Sequence, residues 1–76
     1  MVLIKLTEMK EGDLASIYDI NGGHKFHQRV ETLGIRAGVK VKKLSSQVMR
    51  GPIAIKIGNT RIAVGYGMAQ KIIVKK

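Results

Sequence analysis

The 76-residue sequence predicts a mainly β fold, a small barrel of about five strands with one short α-helix, forming a single domain over residues 1–76. Three observations lead there. Apolar and polar residues alternate with a period of two at residues 39–42, 53–57 and 61–64, the pattern of half-buried strands. Only residues 24–33 show helical spacing, with Phe26, Val30 and Leu33 at i, i+4 and i+7. No strand–helix–strand alternation, repeat or low-complexity segment competes with this pattern. In so short a chain, barrel closure would also remove exposed strand edges.

In chain order, residues 1–9 read as a short apolar start. The sequence KEGD at 10–13 marks a turn and residues 14–20 a strand, in which Ser16 and Asp19 interrupt strict alternation. Asn21, Gly22 and Gly23 break the chain, with Asn21 suited to a turn or a helix cap. The helix that follows spans under three turns and must be held by packing on the strands. Gly34 stands where a left-handed capping residue belongs, and Ile35 can fold back on the helix as the apolar contact of the cap. Gly38 permits a second tight turn before the Val39–Val41 strand. Residues 45–52 read as a loop, with Pro52 at the start of the next strand. Gly58-Asn59 suits a two-residue hairpin with glycine first. One helical turn at 66–70 and a closing strand at 71–76 complete the chain.

Composition narrows the chemistry. Without cysteine there are no disulfides, thiolate zinc sites or cysteine nucleophiles. No apolar run approaches the ~20 residues that span a bilayer, so a cytoplasmic protein without membrane insertion of its own is expected. The glycines form neither a P-loop nor a dinucleotide fingerprint. Glu8, Glu11, Asp13, Asp19 and Glu31 make no obvious catalytic pair, and a barrel this small fills its interior with its own side chains. The expectation is a protein without enzymatic activity.

Fourteen Lys and Arg against five Asp and Glu give a net charge of +9, which calls for an acidic partner, nucleic acid or an anionic surface. Lys42, Lys43 and Arg50 are the candidate partner-binding residues, chosen by charge and expected exposure. Lys71, Lys75 and Lys76 read as a solvated, frayed tail. A nucleic-acid-binding barrel is the alternative, but Tyr18, Phe26 and Tyr66 are too few for a stacking groove. On the helix, His24, His27 and Glu31 fall on the face opposite the apolar stripe. Imidazole and carboxylate ligands suit zinc or ferrous iron, so these three are the candidate metal ligands. The competing explanation is the ordinary polar face of an amphipathic helix, and no cofactor is required.

The order of segments adds a resemblance. LTEMKEGDLASIYDI leads to two glycines and then RVETLGIRAG. GPIAIKIGNTRIAV and AQKIIV follow. Along nearly the whole chain this resembles the FeoA family of ferrous iron transport accessory proteins. Arg29, Val30, Leu33, Gly34, Ile35 and Gly38 carry its most specific part, and Gly51 to Ile53 the second. The resemblance implies an SH3-like barrel, also found as the C-terminal domain of DtxR-type repressors. It further implies a cytoplasmic module that works with the cytosolic part of the membrane iron permease FeoB.

Overall fold

The structure is a computed structural model and describes residues 2–45 and 50–76. Six strands form one antiparallel sheet: β1 (Leu3–Lys5), β2 (Leu14–Ile20), β3 (Lys40–Ser45), β4 (Ile53–Ile57), β5 (Thr60–Val64) and β6 (Ile72–Lys75). Their order in the sheet is β1-β6-β2-β3-β4-β5. A nine-residue helix, α1 (His24–Thr32), bridges β2 and β3, and a single turn, α2 (Tyr66–Ala69), bridges β5 and β6. The architecture is mainly β, as the period-two segments require. It differs from the sequence expectation in two respects. The apolar start contains a strand of its own, β1, followed by a one-turn 3-10 helix at Leu6–Glu8. The described ladder does not close, so β1 and β5 are its edges.

Inward-facing aliphatic residues from the strands meet in one core, to which β1 adds only the half-buried Ile4. Ile17, Ile20, Val41, Ile53, Ile55, Val64, Ile72 and Val74 are all buried there, with Leu6, Val30, Ile35 and Ala69 closing it from the connections. Leu33, expected on the helix's apolar stripe, is exposed instead, because the helix ends at Thr32 and the chain turns away. The broken alternation in β2 has a defined cause. Its register against β6 shifts between Ile17 and Asp19, so Tyr18 is an extra, outward residue. Such a bulge exchanges the two faces of a strand. Burial accordingly passes from Ala15 and Ile17 to Ile20.

The corner between α1 and β3 is built on two glycines. Gly34 has φ +90°, and its N–H donates to the Glu31 carbonyl while the Ile35 N–H donates to that of Val30. This six-to-one pairing closes the helix by a Schellman motif. Ile35 is fully buried beside Val30 in the core, the apolar contact that completes it. Gly38, also at φ +90°, occupies the third position of the turn at residues 36–39, where the Val39 N–H donates to the Arg36 carbonyl. Gly38 N–H then donates to the Ile17 carbonyl at 2.7 Å, and Ile17 N–H to that of Val39 at 2.8 Å. The corner is thereby fixed to β2, and the phase of β3 is set before its first residue.

Two further differences concern the termini. Asn21 caps no helix: Gly23 is the N-cap, and the Asn21 N–H donates to the Lys71 carbonyl. The tail is tied down rather than frayed. Lys76 exchanges backbone hydrogen bonds with Val2, and its ammonium lies 2.8 Å from Asp13 Oδ2.

Candidate functional site: a basic face of the sheet

Alternation along β3 divides its lysines between two environments. Lys40 and Lys42 point outward, while Lys43 shares the inward side with Val41 and is 2% exposed. Its ammonium donates to the Met9 carbonyl and, at 3.2 Å, to the Thr7 carbonyl. Those carbonyls belong to the segment between β1 and β2, which Lys43 therefore pins against the sheet. Burial lowers the Lys43 pKa from the ordinary lysine value, and the Asp13 carboxylate opposes that shift. The expectation of Lys43 as an exposed docking residue is corrected: it is a structural cation of the interior.

Register assembles the outer face. Leu14 on β2 lies opposite Lys42 on β3, Lys42 opposite Lys56 on β4, and Lys56 opposite Arg61 on β5. In a second row Leu3 lies opposite Lys75, Lys75 opposite Ser16, and Ser16 opposite Lys40. Five cations thus lie in two adjacent rows. Like charges directly opposite one another repel, each pair costing roughly 0.2–1 kcal/mol. Among the described residues the one ion pair is Asp13 with Lys76, at the border of this face. Lys76 donates to the Asp13 carboxylate and the Lys10 N–H donates to it as well, which holds its pKa below the usual carboxylate range.

Of the three cations expected to dock a partner, only Lys42 stands in these rows. Arg50 is exposed, with φ +61° and its guanidinium 5.9 Å from the centre of the Tyr66 ring on α2. Of the other four cations in the rows, Lys40 belongs to the same basic segment as Lys42 and Lys75 to the tail expected to fray, while the sequence singles out neither Lys56 nor Arg61. A signal for one pair was present: a two-residue hairpin at Gly58-Asn59 places Lys56 opposite Arg61. Of the loop expected at residues 45–52, residues 46–49 lie outside the described residues, and Ser45 is instead the last residue of β3.

His24 and Glu31 are exposed at opposite ends of α1, with His27 half-buried between them. Among the described residues no three His, Cys, Asp or Glu side chains gather as a metal-binding group, these three included. Phe26, on the same helix, packs against the core, and the Lys71 ammonium sits 4.9 Å from its ring centre. No helix among the described residues is long and apolar enough to cross a membrane.

The FeoA domain model matches residues 4–76, which takes in all six strands but the first residue of β1. The chain belongs to the FeoA family. A relative from Methanocaldococcus jannaschii, described as "Putative Fe(2+) transport protein A", is 36% identical over 66 residues, covering 87% of this chain and 78% of the relative. The crystal structure of an iron uptake regulatory protein (FeoA) is 34% identical, with a TM-score of 0.91 and 97% of each chain covered. A manganese-dependent transcriptional repressor shares the fold at a TM-score of 0.89 and 20% identity; the match covers 97% of this chain and 41% of the repressor. The six strands and short helix are therefore the SH3-like arrangement of FeoA proteins, with its described ladder left open.

Proposed function

We propose that this FeoA-family protein is a cytoplasmic accessory of ferrous iron uptake that docks on an acidic surface of the cytosolic part of a FeoB-type transporter. The observation that carries this reading is the row Lys42–Lys56–Arg61, three cations set side by side across three strands. Such a row costs stability in the free protein. A partner's carboxylates would offset that cost and draw the two surfaces together over about a Debye length, ~8 Å at physiological salt. Nucleic acid fits less well. The two rows hold no aromatic side chain on which a base could stack. Nothing in the role requires catalysis by this chain, and iron is the cargo of the transporter it serves.

The test is an amide NMR titration with the cytosolic part of the cognate transporter at low and at high salt. Shifts centred on Lys40, Lys42, Lys56 and Arg61 that weaken as salt rises are the expected result. Binding that ignores salt, or shifts confined to α1, would overturn the assignment.

A further inference from the structure

The outer face is not uniformly basic. Leu14 is 69% exposed, the most of any large apolar residue described, and it stands at the head of the Lys42–Lys56–Arg61 row. A lone exposed leucine needs no explanation in itself. This one, like Lys40, borders two shallow depressions. The first, of about 290 Å³, is bordered by Leu14 with Lys40, Lys75 and Lys76. The second, of about 250 Å³, is bordered by Leu14 with Lys40, Lys42 and Lys56. No Asp or Glu lines either one. The nearby carboxylate of Asp13 is already engaged by Lys76 and by the Lys10 backbone N–H.

We infer that this face recognises an acidic protein segment in which one apolar side chain is flanked by carboxylates. The apolar side chain seats on Leu14, and the flanking carboxylates enter the two depressions. This inference rests on the docking role proposed above and adds the chemistry of what is docked. Complementarity of charge selects the carboxylates: Lys75 borders the first depression, Lys42 and Lys56 the second and Lys40 both, while Lys76 is already paired with Asp13. Apolar contact at Leu14 then fixes which carboxylate enters which depression, something charge alone leaves free. Concavity favours a polypeptide over a lipid surface, because side chains can enter two hollows whereas a headgroup layer spans them.

The probe is a blocked peptide, acetyl-Gly-Glu-Glu-Leu-Glu-Glu-Gly-amide, titrated into the full chain at roughly 0.15 M salt. Three comparisons accompany it: the same peptide with Gln for every Glu, the same peptide with Ser for Leu, and vesicles of phosphatidylglycerol and phosphatidylcholine. The parent peptide is expected to shift the amides of Leu14, Lys40 and Lys56. The Gln peptide should leave them unmoved, and the Ser peptide should bind roughly fivefold more weakly, about 1 kcal/mol. A Leu14→Ser variant should lose the same factor for the parent peptide and show no further loss for the Ser peptide. Equal affinity for the Leu and Ser peptides would overturn the role of Leu14. Vesicles that shift these amides where the peptide does not would reassign the face to lipid. If the transporter's cytosolic part shifts these amides while the peptide fails, the docking role stands and the recognition chemistry falls. If neither binds, both fall.

Discussion

Two lysines adjacent in sequence lie on opposite faces of β3 and meet opposite physical conditions. Lys43 faces the aliphatic interior, donates hydrogen bonds to the carbonyls of Thr7 and Met9, and is buried from water. Lys42 faces solvent, with Leu14 on one side and Lys56 on the other. On the inner face a single charge is hydrogen-bonded and holds a segment in place. On the outer face several charges are set against one another, and what would balance them is external. The formal charge of +9 treats the two lysines alike; strand parity separates them.

Substitution of these neighbours tests that separation most strongly. Lys43→Ala removes the donor for two carbonyls and opens a cavity, so a loss of about 3 kcal/mol is expected in urea unfolding. Lys43→Met restores the volume without the hydrogen bonds and should recover about half of that loss. Lys42→Ala should change stability by less than about 0.5 kcal/mol. Equal losses at the two positions would erase the contrast between the faces.

A smaller effect is expected where the phase of β3 is set. Gly34 sits at φ +90° with open space around a would-be Cβ, so Gly34→Ala meets backbone strain alone. The cost should be about 1 kcal/mol, with amide shifts confined to the corner. If Lys42 and Lys43 exchanged exposure, the corner would be doing less to fix the register than its hydrogen bonds indicate.

The mildest effect lies at the border of the basic face. Asp13 has a depressed folded pKa, so its contribution to stability is fully present above the ordinary aspartate range, ~3.9. It is lost as pH falls through the lower, folded value. Asp13→Asn should therefore flatten the acid limb of the stability–pH curve and leave the neutral plateau nearly flat. A variant with an unaltered acid limb would remove Asp13 from the account.

Much of this fold can be read from the chain because local chemistry dictates it. Gly34 and Ile35 announce the helix cap, Gly58-Asn59 announces the hairpin, and the alternation at residues 53–57 announces a strand. Each signal is complete within a few residues. Strand β1 was hidden because three residues, two exposed and one half-buried, carry no period; pairing with β6 makes it a strand. Lys43 was legible in principle, since Val39, Val41 and Lys43 keep a period of two, but its charge masked its parity. The basic face was not legible. Its rows depend on which strands neighbour one another, and β2 meets β6 and β3 through connections whose pairing no local pattern announces. Five dispersed cations became one surface only through register.

The most direct test of the basic outer face as the docking surface is a charge reversal read in two ways. Lys56→Glu relieves repulsion from Lys42 and Arg61, whereas Lys25→Glu changes an exposed cation on α1 that belongs to neither row. Affinity for the transporter's cytosolic part should fall about tenfold or more for Lys56→Glu, ~1.4 kcal/mol, and stay near the parent value for Lys25→Glu. Unfolding should show Lys56→Glu at least as stable as the parent, since a like-charge contact has become an attractive one. Equal loss of affinity in both variants would reduce the effect to net charge. Undiminished binding by Lys56→Glu would contradict the account.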